Sequence, residues 1–598
     1  MPGMTARPRT RARVAALVTG AGVAGVAVWA AWVTTSVVLA QKPGDWPLHN
    51  YDVKNTRYAP HAQIDTSNVK RLAVRWTFEM PPKEQVASMT PLVVDGVMYF
   101  NAGSTLYAID AATGAKKWTY RHPTAFTGGG RGPTYGDGVI YAYGSGLMYA
   151  VDAKTGTSVE TFGDKGALAV AAAALRFKYP GKYPSDVDPQ SLGYQMTTPP
   201  AYYNGTLVVG LPFSENLIRG GLVVAADGKT GAIKWVFNTV PQGPEDDGWE
   251  VAKDTWGYGA RLGGGVWTQP AIDPDLGLLY VNASNPAIDY DGSAREGLNL
   301  FTNSLVALQL ATGKLAWHYQ TIHHDIWDYD LASGPLLFDV ASDGRTVRGV
   351  ASLGKTCYAY FWDRQMGRPL NPMVETTVPT TTDVPGEKVW PTQPIPYTWR
   401  GVPQTPFCAI YPQVDDPELA KLVRPFFHPY LANEFVITSP SNVGGANWGS
   451  PSFSPRTGLV YATGKSDAHA LKPKPVGDTL SNSPGPANLS HPDVTARLPT
   501  KVAIKMNVGA YEPVSGRLVW HTELTGSASS GSLATSGDLV FQGVGAEGLY
   551  ALDARDGKVL FRYQDKSGVR ASPLTYVAHG KQFIAVAATN KIVALALP

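Results

Sequence analysis

Cysteine is almost missing from this chain of 598 residues, in which only Cys357 and Cys408 occur. Neither belongs to a Cys-x-x-Cys-His motif, so the chain carries no covalently attached c-type haem. In an exported protein the two residues could form a disulfide. Cys357 lies in an apolar, strand-like stretch, which is equally consistent with a buried free thiol. The sequence leaves both states open.

Charge is also scarce. Charged residues make up 17% of the chain, and the formal net charge is +3. Because Lys and Arg are scattered outside the N-terminus, the sequence does not predict a nucleic-acid partner. By contrast, the chain has 63 Gly, 47 Pro and 11% aromatic residues. Abundant turn formers and aromatic residues are typical of a β protein with a large core.

The N-terminal 40 residues differ from the rest of the chain. Four arginines between residues 7 and 13 precede residues 14–40, which contain no charged residue. A basic flank, an apolar run and small residues at its end are typical of an export signal. The run is also long enough to span a bilayer as an uncleaved membrane anchor. Either interpretation of residues 1–40 predicts that the remainder is exported to the periplasm or an equivalent extracytoplasmic space.

A short motif recurs along the chain: an apolar residue, then Ala, Asp, Thr-Gly and, four residues after the Gly, Trp. The three clearest copies end at Trp118, Trp235 and Trp317. Weaker copies are centred on Asp152, Asp363, Glu512 and Asp553. Repetition at this scale is the sequence signature of solenoids and propellers.

Each copy predicts a strand, a tight turn and a second strand. The alternating apolar residues indicate a half-buried strand, and the Thr-Gly pair provides turn residues, with the Gly free to take a positive φ. The Trp begins the outer strand, where it can fill the space between neighbouring sheets. Because a second hairpin precedes most copies, each unit contains four antiparallel strands, and radial repetition of such units makes a β-propeller.

Seven copies are visible, and a hairpin at residues 448–462 predicts one more blade in the long interval between Asp363 and Glu512. We therefore predict an all-β fold for residues 44–598, an eight-bladed β-propeller with tryptophan-docking repeats. The last strand, residues 591–597, is expected to pair with N-terminal strands and close the ring, which removes exposed sheet edges.

Two segments do not fit the blade pattern. Residues 375–396 are rich in Thr and Pro, and residues 471–492 are rich in Pro, Ser, Gly and Asn. Long segments of this kind in a compact fold are either functional or without fixed structure. We expect at least part of them to cover one face of the propeller.

Residues 323–330, His-His-Asp-Ile-Trp-Asp-Tyr-Asp, concentrate two imidazoles, three carboxylates and two aromatic rings. They directly follow the strand-like stretch that contains Trp317. A strand end of this composition suits acid–base chemistry or a metal ion. The alternative interpretation is a solvated, Asp-rich loop covered by a Trp.

The Trp repeats, the Trp-Asp-Tyr-Asp sequence at residues 327–330 and the segment from Gln63 to Leu72 occur together here. The combination resembles the quinoprotein dehydrogenases that use pyrroloquinoline quinone (PQQ), which are eight-bladed propellers outside the cytoplasmic membrane. The resemblance covers residues 44–598. It implies an enzyme that oxidises an alcohol, polyol or sugar hydroxyl by hydride transfer to PQQ.

The resemblance also assigns roles to residues that match the family's motifs. Asp328 matches the catalytic base toward the substrate hydroxyl. Lys355, in Gly-Lys-Thr, lies where the family has a cation near the quinone oxygens. Further PQQ contacts are implied for Arg131, Thr197 or its neighbour Thr198, Trp267 as the floor beneath the ring, and Asn447.

The metal ion that accompanies PQQ is expected to bind Glu215, Asn285 and Asp328. Carboxylate and carboxamide oxygens suit Ca²⁺ rather than Zn²⁺. Asp330 resembles the extra carboxylate of lanthanide-dependent members and is also present in sugar oxidisers that use calcium or magnesium. Because residues two apart in a strand point to the same side, Asp330 is a further candidate ligand. Ca²⁺ is the predicted ion, and a lanthanide is the alternative.

Some positions depart from the family's pattern. Ala125 and Phe126 stand where many alcohol-oxidising members have two adjacent cysteines. Residues 323–330 together with Lys355 are more similar to the sugar- and polyol-oxidising members.

Electron transfer requires a further partner, because the chain contains no haem motif. The resemblance implies a separate cytochrome or a membrane quinone as the electron acceptor. The competing hypothesis is a non-catalytic propeller that acts as an assembly scaffold of the cell envelope, but a scaffold has no reason to keep Glu215, Asn285 and Asp328 together.

Overall fold

The computed structural model describes residues 42–122, 130–144, 146–412, 414–473 and 504–598. The predicted signal or anchor at residues 1–40, and the departures at Ala125 and Phe126, lie outside the described residues. Within the described part of the chain, no helix is both long and apolar enough to cross a membrane.

Eight antiparallel sheets form the blades of a β-propeller and are numbered in chain order. Blade 1 consists of Leu92–Val94, Val97–Ala102, Thr105–Asp110 and Lys116–Arg121. Blade 2 consists of Thr134–Gly136, Val139–Gly144, Leu147–Asp152 and Ala167–Leu168. Blade 3 consists of Ala201–Tyr203, Thr206–Leu211, Leu222–Asp227 and Ile233–Asn238. Blade 4 consists of Ala271–Asp273, Leu278–Ala283, Ser304–Gln309 and Leu315–Gln320. Blade 5 has three strands, Leu336–Ser342, Arg345–Leu353 and Ala359–Asp363.

The remaining blades complete the ring. Blade 6 consists of Ser452–Ser454, Leu459–Ser466, Lys505–Glu512 and Arg517–Thr525. Blade 7 consists of Ser532–Thr535, Leu539–Gly543, Leu549–Asp553 and Val559–Tyr563, with Tyr58–Ala59 added at its edge. Blade 8 consists of Leu574–Ala578, Lys581–Ala588, Lys591–Ala596 and Ala73–Glu79.

Ring closure occurs as predicted, between the two ends of the propeller. Ala73–Glu79 pairs in antiparallel register with Lys591–Ala596, so the N-terminal strand is the outer strand of blade 8. Because of this pairing, strand Lys591–Ala596 is hydrogen-bonded on both sides and has no exposed edge.

The number of blades is confirmed, but the predicted position of the eighth blade is wrong. The hairpin at residues 452–466 does not begin a blade of its own, because it pairs with Lys505–Glu512 in blade 6. Residues 467–504 are inserted between the two halves of this blade. The hairpin and the motif around Glu512 are therefore far apart in sequence, and they resemble two separate units.

The tryptophan repeats join neighbouring blades, as predicted. The indole Nε1 of Trp118 in blade 1 donates to the carbonyl of Ala153 at 3.2 Å, and that of Trp235 in blade 3 donates to the carbonyl of Leu310 at 3.0 Å. Each ring also covers the Gly of the next Thr-Gly turn. A Cβ atom on Gly313 would lie 2.4 Å from Cε3 of Trp235, and φ at Gly313 is +69°. Only glycine meets both requirements.

Strand direction determines which loops lie together. In a four-stranded blade the second and third strands are joined at the same end of the ring at which the fourth strand leaves for the next blade. We call the end with these connections the loop face. The turns between third and fourth strands, which carry the Asp-Thr-Gly motif, emerge at the opposite end, the turn face. The fourth strand is the outermost, since Lys116–Arg121 is largely exposed while Val97–Ala102 is buried.

Apolar side chains fill the spaces between blades. Val223 of blade 3, for example, packs in one buried cluster with Val281 and Val306 of blade 4. Among the described residues the helices are short: the α-helices Val170–Lys178, Trp249–Ala252 and Pro417–Ala420, and the 3₁₀ helices Val69–Arg71, Pro189–Leu192, Ser214–Asn216 and Lys253–Thr255.

In the part of the chain that the structure describes, two small sheets lie outside the blades: Met373–Thr377 with Thr392–Pro396, and Val436–Thr438 with His469–Leu471. The first belongs to the predicted covering segment 375–396. Its Glu375 and Glu387 contact Nε2 of His323 and His324 at 3.1 and 2.8 Å, so the segment packs against residues 323–330 on the loop face. Only residues 471–473 of the second predicted segment, 471–492, are described.

Candidate active site

All nine predicted site residues lie on the loop face. Glu215, Asn285 and Lys355 lie between second and third strands, and Arg131, Thr197, Trp267, Asp328, Asp330 and Asn447 lie in blade-to-blade connections. One cavity is lined by seven of them, together with Phe213, Asn442 and Val443: Arg131, Glu215, Trp267, Asp328, Asp330, Lys355 and Asn447. The blade topology therefore gathers residues that are far apart in sequence.

Lys355 is the cation at the centre of the site. Its Nζ donates to Oδ1 of Asp328 at 2.6 Å and contacts Oδ2 of Asp330 at 2.8 Å, and all three side chains are buried. Burial alone would lower the pKa of Lys355, but the carboxylates of Asp328 and Asp330 outweigh it, so the pKa is raised. Lys355 is therefore held as an ammonium ion.

Asp328 has the environment of a base. Burial raises its pKa well above the ordinary value, Lys355 opposes this shift, and Asp330 adds to it. A carboxylate whose proton affinity has been raised in this way is a better proton acceptor than one in water.

The loop before Asp328 is shaped by Asp325. The carboxylate of Asp325 accepts hydrogen bonds from the backbone N–H groups of Trp327 and Tyr329, each at 2.8 Å, and from Nδ2 of Asn303 at 2.6 Å. This tight turn places Asp328 at φ +62°. A non-glycine residue in the left-handed region is strained, and such residues concentrate at functional sites.

A second group of oxygens lies beside this centre. Ligand oxygens of Glu215, Asp289 and Asp328 lie within 4.8 Å of one another. Oδ1 of Asn285 is buried and has no hydrogen-bond partner among the described residues. The Oγ of Ser214 donates to the carbonyl of Asn285 at 2.7 Å, which holds the short helix of Glu215 against this loop. The buried Oδ1 of Asn285, unpartnered beside these carboxylates, fits a hard cation such as Ca²⁺.

Asp289 was not among the predicted site residues. It is fully buried, and burial, followed by the charge of Glu215, raises its pKa well above the ordinary value. The only sequence signal was its position four residues after Asn285 in the same loop. That signal is weak, because its proximity to Glu215 depends on the packing of blade 3 against blade 4.

Asp330 is held on both sides by protein donors. Its Oδ1 accepts from the backbone N–H of Asn285 at 2.6 Å, while Oδ2 faces Lys355. Asp330 thereby connects the Asn285 loop to the Lys355 loop. Its predicted role as a metal ligand stays a prediction.

Arg131 and Trp267 line another part of the same cavity. The guanidinium carbon of Arg131 lies 5.0 Å from the ring centroid of Trp267 and 5.7 Å from that of Trp448, and its Nη1 donates to the carbonyl of Trp267. Burial lowers the pKa of Arg131 to about 10. No carboxylate in the described part of the chain forms a salt bridge with it. A buried cation of this kind suits an anionic ligand.

The structure distinguishes between Thr197 and Thr198. The hydroxyl of Tyr143 accepts from the backbone N–H of Arg131 at 3.0 Å and donates to the carbonyl of Thr197 at 2.8 Å, so these predicted contacts are neighbours. Oγ1 of Thr197 is buried without a partner among the described residues. Oγ1 of Thr198 already donates to the carbonyl of Val266 at 2.9 Å. Thr197 is therefore the better candidate for a ligand contact.

Cys357 and Cys408 form a disulfide, which resolves the choice that the sequence left open. Cys357 follows Lys355 by two residues, and its carbonyl accepts from the backbone N–H of Phe407 at 2.9 Å. The bridge and this hydrogen bond attach the segment around Phe407 to the Lys355 loop.

The chain is similar to known protein families over most of its length. The family model described as the β-propeller domain of glucose, ethanol and alcohol dehydrogenases, the PQQ family, matches residues 46–512. A model of the outer membrane assembly factor BamB matches residues 505–597. The second match covers blade repeats alone and excludes Glu215, Asn285 and Asp328, so the scaffold hypothesis does not account for these residues.

Several relatives are alcohol dehydrogenases by name. Quinohemoprotein alcohol dehydrogenase ADH IIB of Pseudomonas putida is 29% identical over 582 residues, which is 94% of this chain and 76% of the relative. The 1-butanol dehydrogenase (cytochrome c) of Thauera butanivorans is 29% identical over 567 residues, 91% of this chain and 74% of the relative.

A solved structure has the same architecture. Quinohemoprotein alcohol dehydrogenase from Comamonas testosteroni aligns with a TM-score of 0.72 at 25% identity, covering 93% of this chain and 81% of that one. The family model, the relatives and the fold thus agree over nearly the whole described chain. The chain belongs to the family of PQQ-dependent dehydrogenases with a β-propeller domain, and it is a PQQ-dependent oxidoreductase.

Proposed function

We propose that this dehydrogenase oxidises an alcohol outside the cytoplasm with PQQ and a metal ion, and with Asp328 as the general base. Polyols and sugars are the neighbouring substrate classes. The observation that carries the proposal is the buried pair of Asp328 and Lys355, which lies in one cavity with Glu215, Trp267 and Arg131.

The residues present fit the cofactor. Arg131 is a buried cation without a described carboxylate partner, and it would pair with a carboxylate of PQQ. Trp267 borders the same cavity and would support the flat ring with its indole face. Thr197 offers a buried hydroxyl without a described partner, and Asn447 offers a side-chain amide at the cavity wall.

The chemistry divides between cofactor and protein. PQQ, when bound, supplies the quinone that accepts a hydride from the alcohol carbon. Asp328 accepts the hydroxyl proton of the substrate, a transfer favoured by the raised pKa of its carboxyl group. Lys355 fixes the orientation of that carboxylate through the 2.6 Å hydrogen bond. Both groups are buried, so water is largely excluded from the proton transfer.

The metal ion would be held by Glu215, Asn285 and Asp328. Their oxygens are hard donors, which supports Ca²⁺, with a lanthanide ion as the alternative. Asn285 supports this assignment most directly, because its buried Oδ1 has no described partner while its Nδ2 is already bonded to Asp289 at 2.8 Å.

Two features support a location outside the cytoplasm. Residues 1–40 have the basic flank and apolar run of an export signal or membrane anchor. The disulfide between Cys357 and Cys408 suits an oxidising compartment. The electron acceptor is a separate cytochrome or a membrane quinone, since the chain has no Cys-x-x-Cys-His motif and one relative is named for cytochrome c.

A reconstitution assay tests the proposal. The purified protein is incubated with PQQ and either Ca²⁺ or La³⁺, and dye reduction is followed with ethanol, 1-butanol, glycerol and glucose. We expect dye reduction with at least one alcohol, and none when PQQ is left out. Absence of dye reduction with every substrate and both metals, in protein shown to have bound PQQ, would refute the proposed activity.

A further inference from the structure

The metal site contains one more carboxylate than the family resemblance supplies. Asp289 is 0% exposed and lies in the loop that follows Asn285. Its Oδ1 accepts from Nδ2 of Asn285 at 2.8 Å, which orients the carboxylate. Its Oδ2 has no hydrogen-bond partner among the described residues. A buried carboxylate oxygen without a donor is costly unless a cation is nearby.

The charges of the described residues do not balance in this part of the cavity. Four carboxylates, of Glu215, Asp289, Asp328 and Asp330, surround the single ammonium group of Lys355. Lys355 Nζ forms its ion pairs with Asp328 and Asp330. Neither Lys355 nor the buried Arg295, whose charge also acts on Asp289, forms a described ion pair with Asp289.

The geometry is that of a ligand set. Oxygens of Glu215, Asp289 and Asp328 lie within 4.8 Å of one another. Oxygen ligands of one Ca²⁺ ion, each about 2.3–2.6 Å from the metal, can be at most about twice that distance apart. A second unpartnered donor, Oδ1 of Asn285, belongs to the residue that holds Asp289 in place.

We infer that Asp289 is a direct ligand of the metal ion in this site. It completes a set with Glu215, Asn285 and Asp328. Asp330 positions the backbone of Asn285 and the ammonium group of Lys355 through its two oxygens. The inference rests on the proposed function, since it concerns the metal ion of that same site.

A third ligand carboxylate changes which ion is preferred. The Coulomb energy between a ligand set and an ion grows with the product of their charges. Removing the charge of Asp289 therefore weakens the binding of a trivalent ion more than that of a divalent ion of similar size. Asp289 makes the site more selective for trivalent over divalent ions than Glu215 and Asp328 alone would make it.

Metal binding by the full chain tests this inference without turnover. Calorimetric titrations of Ca²⁺ and of La³⁺ into the metal-free protein compare the wild type with Asp289→Asn. The matched control is Asp291→Asn, in the same loop, whose carboxylate accepts instead from the backbone and hydroxyl of Ser293. We expect Asp289→Asn to weaken Ca²⁺ binding by about tenfold or more and La³⁺ binding by a larger factor. Asp291→Asn should change both by less than about threefold.

A second measurement does not depend on any variant folding. In a crystal structure of the wild type with PQQ and Ca²⁺, we expect a carboxylate oxygen of Asp289 at about 2.3–2.6 Å from the ion. An Asp289 carboxylate outside bonding distance would overturn the inference, as would metal affinities in Asp289→Asn equal to those of the wild type.

The proposed function and the role of Asp289 can be refuted separately. If the wild type binds neither metal nor PQQ, the proposed function fails and the inference fails with it. If the wild type binds both, and Asp289→Asn binds the two metals as the wild type does, only the role of Asp289 is refuted.

Discussion

The two faces of the propeller differ in how their polar residues are distributed along the sequence. On the turn face the same small motif recurs, and its Asp, Thr and Gly residues are bonded to near neighbours in sequence: Asp110 accepts from the backbone N–H groups of Ala112 and Thr113 at 3.0 and 3.1 Å. On the loop face almost nothing repeats. There Lys355, Asp328 and Asn285 come from different loops and meet only in the folded ring.

The difference shows how stability and function are divided in this molecule. On the turn face the Asp and Thr side chains of the motif are bonded within the turn, as at Asp110, and Trp rings such as those of Trp118 and Trp235 join neighbouring blades. The loop face keeps buried oxygens of Asn285, Asp289 and Thr197 without described partners, an arrangement that costs stability and is retained where a ligand binds. Changes on the loop face should therefore affect chemistry or charge balance, and changes on the turn face should affect stability alone.

Asp328→Asn is the substitution with the largest expected effect on the loop face. Because this change removes the base but keeps the size of the side chain, we expect turnover to fall by about 10³-fold. The Lys355 hydrogen bond can still be accepted by the amide oxygen, so PQQ binding and thermal stability should be retained. Dye-reduction kinetics, PQQ titration and a melting curve measure the three quantities. Wild-type turnover in the variant would rule out Asp328 as the base.

Lys355→Met tests the charge balance of the loop face. Removing the ammonium group leaves Asp328 and Asp330 buried without a cation, and we expect the free energy of unfolding to drop by about 3–5 kcal/mol. Added Ca²⁺ should recover part of this loss. The control is Lys54→Met, whose partner Asp339 is a partly exposed residue at 3.5 Å, with an expected loss of less than about 1 kcal/mol. Equal losses in the two variants, measured by urea denaturation, would contradict the account.

Gly313→Ala tests the docking turns. At this position φ is +69° and a Cβ atom would lie 2.4 Å from the ring of Trp235, so we expect a loss of roughly 2–3 kcal/mol in unfolding free energy. Turnover per folded molecule should not change. Gly277→Ala is the matched control in the same blade, with φ +63° and nothing within 4 Å, and should lose only about 1 kcal/mol. Similar losses in both variants would show that the Trp contact contributes little.

The smallest expected effect is a pH dependence from His49, whose Nδ1 lies 3.0 Å from the carbonyl of Arg131. Burial, together with the charges of Arg57 and Arg131, lowers its pKa from 6.5 to about 3. The unfolded chain binds a proton below pH 6.5 that the folded chain does not, so stability falls as the pH is lowered from 6.5 toward 3, by about 2 kcal/mol at pH 5. His49→Gln should flatten this part of the stability curve. An unchanged acid limb would contradict the assignment.

The turn face was readable from sequence because its determinants are local. Asp110, Thr113 and Gly114 specify one turn within five residues, and the spacing to Trp118 reveals the blade. The same dependence on spacing explains the misplaced eighth blade, since the insertion at residues 467–504 separates the two halves of blade 6.

The loop face was readable only where a family motif covers it. Glu215, Asn285 and Asp328 matched such motifs, whereas Asp289 and Glu387 did not. Their partners are distant in sequence, with Glu387 lying 63 residues from His324, to which it is hydrogen-bonded. No periodicity marks a contact that depends on how two blades or a covering segment pack. Buried polar networks of this kind become visible only in three dimensions.

The most direct test of the central claim is a titration of PQQ into the metal-free wild-type protein, followed by the absorbance of PQQ, with and without Ca²⁺ or La³⁺. We expect saturable binding of one PQQ per chain that becomes tighter when either metal is present, because the loop face supplies Arg131 and a separate set of oxygen ligands. Absence of saturable PQQ binding under all three conditions would contradict it.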